Sequence, residues 1–147
     1  MTAKEHTIQS LAVGHEERIE VHVRPEDVSA FSRLSGDYSP LHVDEEFARS
    51  KGHPSCVAHG FLIGAYVSAL IGMLLPGRHG IMQSCELQFR SPLIAPQTIV
   101  VTGTVSGVSQ STGQITIKIT VKNLAGSMFA TGKVTSIIRS LNPATPS

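Results

Sequence analysis

The sequence predicts an α+β domain in which a curved antiparallel β-sheet wraps one long central helix, and three observations predict it. The run FLIGAYVSALIGMLL (61–75) carries no charged residue; read as a helix it is apolar on all faces and must be covered on all faces. ERIEVHV (17–23) and four segments after residue 80 alternate in polarity or are rich in β-branched residues, the mark of half-buried strands. The connections SQSTG and NLAGS are short, which sets neighbouring strands antiparallel. One helix and about five one-faced strands satisfy each other only if the sheet curls around the helix.

In ERIEVHV, Ile19, Val21 and Val23 fall on one side, with Arg18, Glu20 and His22 on the other. PEDVSAFSRLSG follows. Pro25 suits a first helical position, Glu26 and Asp27 favour a helix N-terminus, and Gly36 suits a C-terminal stop. Val28, Phe31 and Leu34 recur at helical spacing, so a short helix is expected over 25–34. In GDYSPLH, Pro40 has no N–H and pushes Ser39 out of the helical region, so the segment reads as a loop. Asp44 can cap a second short helix, EEFARSK, ended by Gly52. HPSCVAH is a loop into the long helix, expected over 60–75, and LPGRHG is turn chemistry.

Four strands fill the second half. IMQSCELQFR (81–90) places Ile81, Cys85, Leu87 and Phe89 on one face. TIVVTGTVSGV (98–108) is rich in β-branched residues. QITIKITVK (114–122) sets Ile115, Ile117, Ile119 and Val121 against Thr116, Lys118, Thr120 and Lys122, and SMFATGKVTSIIR (127–139) completes the set. The 147 residues suit one domain, with its core over about 15–139 and LNPATPS as a frayed tail.

Composition removes several function classes. A formal net charge of +1 gives no footprint for nucleic acid. The 61–75 run is shorter than the roughly 20 residues of a membrane span, and residues 1–15 lack a signal-peptide core, so a cytoplasmic protein is expected. Cys56 and Cys85 form no CxxC pair, and the seven histidines show no ligand spacing, so no metal is expected. No GxGxxG or P-loop pattern points to a nucleotide cofactor. A single curled sheet leaves part of the helix and one strand edge uncovered, and a homodimer pairing two sheets edge to edge would cover them.

SGDYSPLH (35–42) places an acid, Asp37, and an imidazole, His42, five residues apart on one bent segment, which on spacing alone also suits a turn-capping Asp and a surface His. FSRLSGDYSPLHVDEEFA resembles the hydratase motif of MaoC-like (R)-specific enoyl-CoA hydratases, which have the hotdog fold. VAHGFLIGAYVS is similar to the family's entry to its central helix, and LPG and ELQFRSPLIAP also match family segments. The resemblance spans roughly 15–138 and includes the order of elements. Two positions depart from it. Ser39 stands where the family usually has Asn, with fewer donors to support the loop, and Pro96-Gln97 replaces a common Gly-Asp in a turn.

The resemblance implies hydration of a trans-2-enoyl thioester, carried by coenzyme A or acyl carrier protein, with no cofactor beyond that carrier. The residues matching Asp37 and His42 hold the attacking water between them. Which of the two accepts the proton first stays open. Gly60, at the head of the helix, offers a backbone N–H and a helix dipole to the thioester oxygen. Ser68 matches a family position near the site, and His59 a loop histidine read as structural. Arg78 and Arg90 are read as solvated surface charge that could also meet coenzyme A phosphates. A thioesterase on the same fold is the alternative; such enzymes usually carry a carboxylate on the central helix, where residues 61–75 have none. A non-catalytic acyl-binding or interaction subunit is the third reading. Which of Phe61, Leu62, Tyr66 or Leu70 lines an acyl tunnel is not readable.

Overall fold

The computed structural model describes residues 2–139. A 3₁₀ turn (Ile8–Ser10) precedes β1 (Glu16–Val23), α1 (Pro25–Ser35), α2 (Pro40–Val43), α3 (Glu45–Ser50), α4 (Gly60–Met73), β2 (Gly80–Phe89), β3 (Gln97–Ser109), β4 (Gln114–Asn123) and β5 (Met128–Ile138). LNPATPS lies outside the described residues.

The five strands form one antiparallel sheet in the order β1-β3-β4-β5-β2, so β1 and β2 are its edges. The strict alternation of β4 decides which face packs: Ile115, Ile117, Ile119 and Val121 are fully buried. They share a core with Ile99, Val101 and Val105 of β3 and with Leu62, Ile63, Val67, Leu70 and Ile71 of α4. Each such side chain taken out of water contributes about 2 kcal/mol before entropy is counted.

Helix α1 begins and ends where its residues dictate. Pro25 takes the first position, and the Asp27 carboxylate accepts from the Arg24 backbone N–H at 2.8 Å. The Arg24 guanidinium donates to the same carboxylate, 2.8 Å from Oδ1. Gly36 ends the helix at φ +77°, a conformation that costs a side-chain-bearing residue more. Asp44 caps α3 by accepting from Phe47 N–H at 3.0 Å.

Several expectations need correction. Leu34 is 84% exposed, so the packed face of α1 that holds Val28 does not extend to its last turn. Pro40 does not hold SGDYSPLH as a loop throughout: it starts the single helical turn α2, which contains His42, while Ser39 stays extended at ψ 134°. Ile8 and Leu11 are buried in the core, which therefore reaches back past residue 15.

Helix α4 is covered on one side only. The sheet buries Leu62, Ile63, Val67, Leu70 and Ile71, and the opposite stripe of Phe61, Ala65, Ser68, Ala69 and Gly72 is exposed. Strand β2 is also largely exposed, against its expected half-buried face. A bulge between Met82 and Ser84 shifts its phase. Met82, rather than Ile81, therefore joins Cys85, Leu87 and Phe89 beside the exposed stripe of α4. No helix among the described residues is long and apolar enough to cross a membrane.

Candidate active site

Asp37 follows the left-handed stop of α1. Its backbone N–H donates to Ser35 Oγ at 3.2 Å, and its Oδ1 accepts from Ser39 N–H at 3.1 Å. This local turn leaves Oδ2 free and turned toward His42. Ser39 thus contributes its backbone N–H, and its side chain makes no capping bond.

His42 is held from the opposite side. Its Nδ1 lies 2.6 Å from the carbonyl oxygen of Val57. A carbonyl only accepts, so Nδ1 carries the proton and, in the neutral ring, Nε2 presents a lone pair. That Nε2 stands 3.9 Å from Asp37 Oδ2. The separation is too long for a direct hydrogen bond and leaves room for a small polar molecule touching both groups. The His42 side chain is 14% exposed and that of Asp37 is 50% exposed, so the base is sheltered while the acid faces solvent.

His59 ties the two together. It is buried, and its Nε2 lies 3.0 Å from the carbonyl oxygen of Asp37 and 3.3 Å from Ser32 Oγ. Its ring stacks on that of His42 on one side and packs against Phe31 on another. One side chain therefore fixes the backbone of the acid and the ring of the base. The sequence marks this residue only as a structural loop histidine. Nothing in its spacing from Asp37 or His42 signals the contact, because the approach of the α4 entry to α1 creates it.

Gly60 opens α4, and its N–H, at the first helical position, has no acceptor within the helix. A Cβ built there would lie 2.7 Å from the Phe89 ring, so the glycine is what lets β2 close over the helix head. Gly60 and His42 line one cavity of about 340 Å³, together with Ile63, Phe89 and Arg90. On its other side His42 borders a cleft of about 740 Å³ with Ser32, Tyr38, Cys56 and Pro96. Burial raises the Cys56 thiol pKa, with Glu45 and Asp44 adding to it, so this cysteine is not primed as a thiolate.

Ser68 is not gathered with these residues. It lies a little over two turns beyond Gly60, on the exposed stripe of α4. Phe61 lines an apolar groove of about 730 Å³ with Phe31, Gly64, Met82, Leu87 and Phe89, while Leu62 and Leu70 are core. Tyr66 is half-buried beside the core. Arg78 pairs with Glu5 at 3.0 Å, remote from the site, whereas Arg90 bonds Thr131 Oγ1 at 2.9 Å at the cavity wall.

Asp37, His42 and His59 each bring a ligand-capable atom within 4.8 Å of the others. They do not converge as a metal set should. Lone pairs lie in the imidazole plane, and rings stacked 26° from parallel aim them side by side.

The profile of the family described as MaoC like domain matches residues 9–127. An (R)-specific enoyl-CoA hydratase of Rhodospirillum rubrum is 28% identical over 133 residues, covering 90% of this chain and 92% of the relative. The (R)-specific enoyl-CoA hydratase of Aeromonas caviae is 29% identical over 125 residues, covering 85% of this chain and 93% of the relative. The solved A. caviae (R)-hydratase, involved in PHA biosynthesis, superposes with a TM-score of 0.84 at 27% identity, covering 89% of this chain and 99% of its own. The likeness confirms the hotdog arrangement of sheet and central helix.

Proposed function

The chain belongs to the MaoC-like domain family, and from that premise we propose that it is an (R)-specific hydro-lyase acting on a trans-2-enoyl thioester. Water adds across the double bond to give the (R)-3-hydroxyacyl product, or the reaction runs in reverse as dehydration. The single observation that carries this reading is the facing pair: His42 Nε2, its tautomer set by Val57, looks across 3.9 Å at Asp37 Oδ2 beside the head of α4.

The roles follow from the bonds. A water seated against both groups gives up a proton as its oxygen bonds C3, and a proton reaches C2 from the same side. Gly60 N–H, aided by the α4 dipole, meets the thioester oxygen as charge builds there. Ser39 holds Asp37 through its N–H. Arg90 at the wall of the cavity shared by His42 and Gly60 suits a carrier phosphate. The chemistry asks for no cofactor beyond the coenzyme A or acyl carrier protein that carries the acyl group.

The active form in this reading is a homodimer. Its support is the exposed apolar stripe of α4 beside the free edge of β2, where Phe61 is 79% and Phe89 51% exposed. A second copy would cover both and place Ser68 within the assembly.

Enoyl-CoA substrates of rising chain length, with chiral analysis of the product, test the proposal. Loss of enoyl absorbance with formation of (R)-3-hydroxyacyl-CoA supports it. Release of free thiol with no change in enoyl absorbance would instead favour a thioesterase, although α4 carries no carboxylate. Tight binding without turnover at any length would favour a non-catalytic acyl-binding subunit.

A further inference from the structure

We propose that His6, His15 and Glu17 form a divalent transition-metal site, of the kind that takes zinc, clamping the N-terminal segment to β1. Two separate pieces of backbone supply them: His6 comes from the segment before the 3₁₀ turn, and His15 and Glu17 come from the residue before β1 and the second residue of β1. Each brings one ligand-capable atom within 4.8 Å of the other two.

Two observations distinguish this cluster from a chance gathering of polar side chains. Buried polar atoms in folded proteins are ordinarily paired. Among the described side chains, four buried polar atoms have no hydrogen-bond partner of good geometry, and two of them are the Nε2 atoms of His6 and His15, the latter facing only the Glu17 carboxylate at 3.5 Å. The rings also meet edge to face, with centroids 5.1 Å apart and planes at 77°. In that arrangement two in-plane lone pairs can point at one centre, which the stacked rings of His42 and His59 do not allow.

A cation already stands at the carboxylate. Lys4 Nζ lies 2.6 Å from Glu17 Oε1, the same oxygen that His15 Nε2 approaches to 3.5 Å. The Lys4 side chain is about half exposed, so its head can turn to water and give its place to an ion. Two imidazoles and one carboxylate suit zinc, nickel or copper, and not magnesium or calcium, which prefer all-oxygen shells. Three protein ligands leave one zinc position for water.

The site is independent of the proposed lyase chemistry. Lys4 N–H donates to the Met73 carbonyl at the last residue of α4, whereas Gly60 is its first. A helix of 14 residues spans roughly 21 Å. Its role is structural, because the segment it fastens delivers Ile8 and Leu11 to the core.

Calorimetric titration of tag-free, chelator-stripped full-length protein with Zn²⁺, and separately with Mg²⁺, tests the inference. The expected result is one Zn²⁺ per chain, no Mg²⁺ uptake, and binding weakened at least roughly tenfold by His6→Gln or by His15→Gln. Lys4→Ala should bind Zn²⁺ at least as tightly, and His42→Ala should bind it unchanged. Absence of saturable Zn²⁺ uptake, uptake that survives His6→Gln with His15→Gln, or uptake abolished by His42→Ala would each overturn it. If a histidine variant does not fold, the wild-type melting temperature decides: a rise with Zn²⁺ and not Mg²⁺ supports the site, and no rise overturns it.

Discussion

The imidazole of His42 lies flat on that of His59, ring centroids 3.8 Å apart, and the Nε2 of His59 reaches the backbone carbonyl of Asp37 at 3.0 Å. His59 acts on the pair through the Asp37 carbonyl and the face of the His42 ring, so it is a positioning residue. His59→Ala is expected to lower kcat by about a hundredfold with little change in KM, since small misplacements of reacting groups have effects of that order. His59→Gln keeps a donor for the Asp37 carbonyl and should recover part of the loss. Steady-state kinetics across pH checks this. A merely structural role would lower the melting temperature and leave the kcat of the folded fraction unchanged.

Gly60→Ala places a methyl group 2.7 Å from the Phe89 ring. Overpacking of this kind costs about 1–3 kcal/mol. Thermal unfolding should show the loss, and adding Phe89→Ala should remove the clash, so the two substitutions should couple in a double-mutant cycle. Simple additivity of the two would contradict the close approach.

Asp27 joins the start of α1 to Arg24. The Arg24 side-chain and backbone bonds, outweighing the smaller effect of burial, hold its carboxyl below the usual value. A carboxyl depressed in the folded state stabilises fully above its unfolded pKa, and that stability fades as pH falls through the folded value. Asp27→Asn should therefore cost about 1 kcal/mol at neutral pH, and the gap from wild type should close below about pH 4. Denaturant unfolding at several pH values checks it; a gap that persists at low pH would contradict the assignment.

Light scattering on the purified chain should give twice its 15.7 kDa mass. Phe61→Asp with Met82→Asp, which charges the exposed stripe and the edge beside it, should shift it to one copy with hydratase activity reduced. A wild-type monomer would leave the stripe without the occupant proposed for it.

Alternation and capping chemistry made much of the fold legible before any coordinates. Ile115 to Val121 name the core face of β4, and Pro25, Gly36 and Asp44 mark helix ends, because each acts through its own backbone or immediate neighbours. Asp37 and His42 stand out only through the resemblance of SGDYSPLH to the hydratase motif; their spacing alone reads equally as a turn cap and a surface imidazole. His59 was not, since its partners come from α1 and α2. The exchange of Met82 for Ile81 on the face of Cys85, Leu87 and Phe89 was hidden by one extra residue at Gln83, which reverses the phase across it. The solvent face of α4 was hidden because an apolar side chain reads alike whether its cover is its own sheet or another chain.

Hydration of crotonyl-CoA, followed by loss of enoyl absorbance, puts the facing of Asp37 and His42 to its most direct test. Wild type should turn over, and Asp37→Asn and His42→Ala should each lose about 10²–10⁴-fold in rate while melting as wild type does. The double variant should be scarcely worse than either single one, because in the proposed reaction the two act on one water as a unit. Two well-folded variants that both hydrate crotonyl-CoA at the wild-type rate would contradict it.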